Sequence, residues 1–171
     1  MVDLHVHFPM HLLEGVESPR DVIAQMTRVR AQEHGKLRAA VFALAARAAA
    51  DCTINDLDRD AFVRLQDLRA RATSDPFAGV RGDTRGWRNS WDAELARLSG
   101  DEALDVWVLA AAEWDRITRP HEAAYCRWRG AQAALRDGQG TLADRLLRRA
   151  ASDAREHVPL HRAIRAIAGA R

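Results

Sequence analysis

Cysteine is scarce in this chain. Its 171 residues include two cysteines, Cys52 and Cys126, which are neither adjacent nor part of a CxxC pattern. Such usage favours reduced thiols, so we expect an intracellular, cytoplasmic protein. No basic amino-terminal region leads into an apolar core, and we therefore predict no signal peptide.

Long apolar runs are also missing. The longest one, residues 39–46, is bounded by Arg38 and Arg47 and is far too short to span a bilayer, so we expect no membrane partner. Strand-forming segments are scarce, whereas alanine is abundant and hydrophobic residues make up 47% of the chain. This composition predicts an all-α fold with a real core.

Lysine is almost absent, and the positive charge is carried by arginine. The net charge of +2 excludes a polycation built for nucleic acid. Residues 119–171 nevertheless hold eleven arginines against five acidic residues. Within them we single out Arg145, Arg148 and Arg149 as a candidate interaction surface for an acidic partner, with a solvated helix face as the alternative. A nucleic-acid backbone stays open as another partner of this patch, but no base-reading motif accompanies it, so the sequence contains no direct nucleic-acid-binding motif.

A helical period organises residues 104–157. Leu104, Trp107, Val108, Ala111 and Trp114 fall on one side of a helix, and two further segments repeat the period after breaks at Arg119-Pro120 and at 137–140. Short turns between such helices predict antiparallel hairpins, the units of a helical repeat array. We predict helices over 87–98, 101–117, 120–137 and 141–157, and a closing helix from about Pro159.

The first part of the chain is predicted as a separate segment. Ser18-Pro19 is a helix start, and two more helices follow, the second of them with Asn55 or Asp56 as its cap. Residues 74–86 contain a proline, three glycines and no helical period, which is typical of a linker. We therefore divide the chain into an amino-terminal segment over 1–73, a linker over 74–86 and a helical-repeat module over 87–171.

Residues 2–8 alternate between apolar and polar side chains, which predicts one short β-strand. His5 and His7 then lie on the same side of the strand and can converge on one metal ion, for which zinc is the candidate. Two histidines are fewer than the three protein ligands of a catalytic zinc site. We therefore expect at most weak metal binding there.

The stretch from Val2 to Leu12, VDLHVHFPMHL, resembles the first strand of the amidohydrolase-type metal barrels and, more narrowly, the amino terminus of the membrane dipeptidase family. The resemblance covers residues 1–47. It implies that His5 and His7 are metal ligands in a hydrolase. Such enzymes are (β/α)₈ barrels of about 250 residues, and their other ligands come from strands that this chain does not contain.

The carboxyl-terminal half resembles another family. The segments 114–116, 119–129 and 146–150, with the sequences WDR, RPHEAAYCRWR and LLRRA, are similar to the last tetratricopeptide-like repeats of LuxR-type ATPase transcriptional regulators. This resemblance covers residues 86–168 and implies only the repeat region. The chain has no GxxxxGK[ST] loop and therefore no predicted nucleotide site.

Two functions follow from these patterns. The first is a non-catalytic helical-repeat module that binds another protein, with self-association left open and no cofactor expected. The alternative is a fragment of a metal-dependent dipeptidase-like hydrolase. The remaining reactive side chains have simpler interpretations: the tryptophans as core, Cys126 as inert packing, and His121, Glu122 and His157 as capping or solvated groups near helix ends.

Overall fold

The structure is a computed structural model, and it describes residues 35–55, 60–71, 75–77 and 82–169. Those residues form helices and connecting turns without a β-strand, so the all-α prediction is confirmed for them. The strand predicted over 2–8 lies outside the described residues. The helices are α1 (Gly35–Ile54), α2 (Ala61–Ala70), α3 (Gly82–Ser99), α4 (Leu104–Arg116), α5 (Pro120–Arg136), α6 (Gly140–Asp153) and α7 (Val158–Gly169).

Helices α1, α3 and α5 run side by side in the same direction. The guanidinium carbon of Arg47 on α1 lies 3.8 Å from the ring centre of Tyr125 on α5. Four residues further along both helices, Arg129 Nη2 donates to Asp51 Oδ1 at 2.7 Å. Asp51 also accepts from Arg97 of α3, at 2.9 Å. Contacts that advance together along two helices require the helices to be parallel.

Helix α7 continues this row on the far side of α5. Near the start of both helices the rings of His121 and His157 stack with their centres 4.1 Å apart. Near their ends, Leu135 and Ile167 line one groove. We call the row formed by α1, α3, α5 and α7 the parallel layer.

The other helices cover the opposite side of this layer. Helix α2 packs on α1, α4 packs between α3 and α5, and α6 packs between α5 and α7. The connections from α4 to α5 and from α5 to α6 are three residues long, so α4 and α6 both run antiparallel to α5. The second turn depends on Gly138, whose φ of 72° is costly for residues with a Cβ atom.

Two apolar clusters form the core, and α3 belongs to both. One lies among α1, α2 and α3, where the rings of Phe42, Phe77 and Trp91 meet at centroid distances of 5.7 to 6.4 Å. The other extends from α3 to α7 around Trp107 and Trp114, which are almost completely buried. The partly buried Trp87 of α3 packs against both clusters.

The predicted linker is more ordered than its composition suggests. Its last five residues are the first turn of α3, which begins at Gly82, and its Phe77 is 4% exposed between α1 and α3. The division of the chain into two segments stays a prediction. The predicted cap of α2 is wrong for Asn55, because its side chain donates to the Asp51 carbonyl at the end of α1, and Asp60 precedes α2.

Of the five residues predicted on one side of α4, Trp107, Ala111 and Trp114 are buried and Leu104 is partly buried, whereas Val108 is 45% exposed. Helix α4 is held on two sides by α3 and α5, and its third side, with Val108, Leu109 and Ala112, faces away from both.

Candidate functional site

The parallel layer contains a buried polar chain. Glu94 of α3 is 1% exposed, and its carboxylate accepts from Tyr125 Oη at 2.6 Å and from Arg97 Nε at 2.7 Å. The Tyr125 hydroxyl in turn accepts from Arg129 Nε at 2.9 Å. Because each of these groups has a partner, the desolvated charge of Glu94 is compensated inside the protein. Burial, followed by the charge of Glu94, raises the pKa of Tyr125 well above its usual range, so this hydroxyl stays protonated.

Asp51 is the member of this series of polar side chains that lies at the surface. It lies in the last turn of α1, accepts a hydrogen bond from Arg129 and forms an ion pair with Arg97. Arg97 also donates to the carbonyl oxygen of Arg47 at 3.3 Å. Burial opposes the charge of Arg97, but its acidic neighbours, Glu94 first, outweigh burial and raise its pKa. The two arginines therefore remain charged and hold three helices in register.

A groove of about 480 Å³ opens above these residues, where the carboxyl-terminal ends of α1, α3, α5 and α7 converge. We call it the carboxyl-end groove. Its lining combines charged, amide and aliphatic side chains. They are Asp51, Ile54, Asn55, Arg97, Glu102, Arg129, Gln132, Leu135, Arg136 and Ile167.

The second carboxylate of the groove is also held on both sides. Glu102, in the turn before α4, accepts from Trp107 Nε1 at 2.6 Å and from the guanidinium of Arg136. Its side chain is 6% exposed, whereas that of Arg136 is 55% exposed. Both carboxylates of the groove are therefore neutralised by arginine, and the described residues of its lining include no hydroxyl or thiol nucleophile.

The opposite end of the parallel layer carries a histidine pair, His121 and His157. The Nδ1 atom of His157 accepts the backbone N–H of Leu160 at 3.1 Å and so caps α7. This fixes the neutral ring with its proton on Nε2. Desolvation lowers the pKa of His121, and the proximity of His157 lowers it further.

Arg47 lies next to the histidine pair along the layer. Its guanidinium stacks on the Tyr125 ring, and Tyr125 lies one turn after His121 on α5. Among the described residues no carboxylate is within ion-pair distance of Arg47, in contrast to Arg97 and Arg129. Its charge also contributes to the lowered pKa of His121.

Of the predicted site residues, His5 and His7 lie outside the described residues, and their metal binding stays a prediction. Within the part of the chain that the structure describes, no group of three or more histidines, cysteines or acidic residues could hold a metal ion. Arg145, Arg148 and Arg149 are exposed on α6, and Arg149 donates to Asp153 at 3.1 Å. They lie on a covering helix, apart from the parallel layer.

Cys126 is buried in α5, with its Sγ atom 3.9 Å from Ser90 Oγ. Ser90 also accepts from Trp114 Nε1 at 3.0 Å. Burial raises the pKa of the Cys126 thiol to about 12, so it stays protonated at neutral pH. This supports the interpretation of Cys126 as inert packing.

Sequence reasoning missed Asp51, Glu94, Arg97 and Arg129 as a connected group. Each of them stands in an ordinary amphipathic segment, and their distances along the chain correspond to no motif. A signal exists in α5, where Tyr125 and Arg129 are one turn apart on the face that also carries His121. That face was predicted to contain only capping or solvated groups at its start.

Comparisons with protein-family models, with curated proteins and with solved structures give no match for this chain. None of the helices that the structure describes has both the length and the apolarity needed to cross a membrane.

Proposed function

We propose that this chain is a non-catalytic, helical-repeat interaction module that binds an extended segment of another protein along its parallel layer. The observation that carries the proposal is the carboxyl-end groove, which four parallel helices form together. In tetratricopeptide-like repeats, helices of an inner layer alternate along the chain with helices that cover them, as they do here. The inner layer of such repeats offers an extended binding surface. A function like that of the repeat region in transcriptional regulators is part of the same proposal.

The lining of the groove favours binding over catalysis. Aliphatic side chains such as Ile54 and Ile167 can cover apolar groups of a partner, and the amides of Asn55 and Gln132 can pair with a peptide backbone. The two carboxylates of the described lining, Asp51 and Glu102, are paired with arginines. Hydrogen bonding and apolar contact are what these groups supply.

The arginines of α6 are a second candidate surface within the same proposal. Arg145 and Arg148 are exposed, and together with Arg149 they form a positive strip on a covering helix. A partner that uses this strip would bind more weakly at higher salt, because exposed charges are screened over about 10 Å at 0.1 M. Replacing Arg148 and Arg149 by glutamate would then weaken binding and would leave the groove intact.

The groove is tested by selecting peptides from a random display library on the purified chain and measuring the Kd of a selected peptide. Ile54→Asp places a charge in the groove at a side chain that is 58% exposed. The matched control is Leu109→Asp on α4, where the side chain is 62% exposed. We expect Ile54→Asp to weaken binding about tenfold or more, since a buried isoleucine contact contributes about 1.5–3 kcal/mol.

The control variant should keep the parental Kd. If Leu109→Asp abolishes binding and Ile54→Asp does not, the partner docks on the outer side of α4 and the groove is not the binding surface. A chain on which no peptide can be selected would contradict the proposed function itself.

A further inference from the structure

We infer that Arg47, His121 and His157 form an oxyanion-binding subsite, which receives an acidic side chain of the peptide segment that lies along the parallel layer. That the oxyanion belongs to an acidic side chain of a bound peptide rests on the proposed function. The subsite itself rests on the geometry of these side chains alone.

Three elements bring the groups together. Arg47 comes from the middle of α1, His121 from the first turn of α5, and His157 from the residue before α7. Tyr125 connects them, because its ring supports the guanidinium 3.8 Å away and its position is one turn beyond His121. The rings of His121 and His157 stand 4.1 Å apart.

Arg47 is held in place by Tyr125 but has no carboxylate partner among the described residues. A cation–π contact with the Tyr125 ring holds the guanidinium, whose carbon lies 3.8 Å from the ring centre. The hydrogen-bond donors of the neighbouring Arg97 and Arg129 are directed to Asp51, Glu94 and Tyr125. An oxyanion from outside would supply to Arg47 the partner that Asp51 supplies to those two arginines.

The histidine pair adds a further hydrogen-bond donor. His157 uses Nδ1 to cap α7, so its Nε2–H is a donor in the neutral ring. The charged groups around His121 are Glu122 on its own helix, Arg119 before that helix, Arg47 on α1 and His157 before α7. Glu122 is engaged by Arg119, with Nε donating to Oε1 at 3.0 Å. Positive charge therefore remains in excess beside His121.

Sulfate is the probe, because its charge does not change between pH 5 and 8. The pKa of His121 is measured by NMR of its imidazole in chloride and in sulfate at equal ionic strength. An anion bound beside the ring favours the protonated form, so we expect the pKa of His121 to rise in sulfate. Arg47→Gln should raise the pKa of His121 in chloride, because a positive neighbour is removed, and should abolish the further rise in sulfate.

Arg148→Gln on α6 is the matched control and should leave both pKa values as in the parent. If Arg47→Gln does not fold, Arg47→Lys keeps the charge without the planar stack, and we expect it to weaken sulfate binding. A pKa of His121 that is equal in chloride and sulfate would overturn the subsite. So would a rise in sulfate that Arg47→Gln leaves unchanged.

A second measurement tests whether an acidic side chain of the peptide supplies the oxyanion. In a selected peptide, each acidic residue is replaced by its amide, and the Kd is measured on the parent and on Arg47→Gln. Removing one partner of a charge-assisted hydrogen bond should weaken binding about tenfold on the parent and have little effect on the variant. Sulfate binding without any selected peptide would contradict the proposed function while the subsite stands. Peptide binding that is insensitive to both changes would overturn the inference that an acidic side chain of the peptide occupies the subsite.

Discussion

Gly86 lies on α3 under the ring of Trp114 on α4. A Cβ atom at this position would stand 2.7 Å from Cζ3 of that ring, which is closer than real contacts allow. We predict that Gly86→Ala lowers the free energy of unfolding, since overpacking costs about 1–3 kcal/mol and the better helix propensity of alanine returns at most about 1 kcal/mol. Urea denaturation measures the change.

The control for this substitution is Gly169→Ala at the end of α7, where an added Cβ atom meets nothing within 4 Å. This variant should be as stable as the parent or slightly more stable. If the two alanine variants were equally stable, α3 and α4 would be able to move apart at Gly86 without a loss in the free energy of unfolding.

Single residues were predictable where packing follows the helical period. Trp107 and Leu147 are buried, whereas Trp128, Leu135 and Leu146, which follow the same period, are only partly buried. The groups of the buried polar chain were not predictable, because the partners of Asp51 come from α3 and α5. Periodicity identifies the buried face of a helix, but it contains no information about which distant side chain completes a hydrogen bond.

At the scale of elements, the histidine pair is a contact between the start of α5 and the residue before α7. The pKa of His121 is lower in the folded protein than in the unfolded chain, so the unfolded chain binds the proton more readily. The stabilisation is therefore complete above a pH of about 6.5 and is lost as the pH falls toward the folded pKa.

We predict that the melting temperature of the parent falls between pH 7.5 and pH 5.5 more than that of His121→Asn. His161→Asn, a half-buried histidine of α7 outside the pair, should retain the parental pH dependence. Thermal unfolding followed by circular dichroism at both pH values measures this. If the melting temperature of His121→Asn falls as much as that of the parent, the histidine pair is not the cause of the pH dependence.

Helix bounds were predicted well where the chain carries clear breaks. Pro120 is the first residue of α5, and the turn over 137–139 separates α5 from α6. The start of α3 was missed because three glycines within 74–86 are typical of a linker. Gly86 is needed there for another reason, the close approach of Trp114.

At the scale of the whole molecule, α3 joins the two apolar clusters. A fragment over 82–171 would expose Trp91, whose ring contacts Phe42 and Phe77 in the full chain. It would also leave Arg97 and Arg129 without Asp51. We therefore predict a lower melting temperature for this fragment than for the full chain, followed by tryptophan fluorescence and circular dichroism.

The division of the chain at 74–86 makes the opposite prediction. If the fragment melts at the temperature of the full chain, the carboxyl-terminal helices are an independent module and the contacts of α3 with α1 contribute little. Composition and helical period predicted the all-α class. They could not predict that α3 belongs to both apolar clusters, because this depends on which faces of α3 meet its different neighbours.

The common direction of α1, α3, α5 and α7 gives the parallel layer an electrical polarity. The carboxyl ends of these helices bring partial negative charge to one edge, where Arg97, Arg129 and Arg136 offset it. The amino ends of α5 and α7 bring partial positive charge to the other edge, beside the histidine pair. A segment that lies along the layer is therefore distinguished head from tail. For such a partner, the order of its acidic and apolar residues matters as much as its composition.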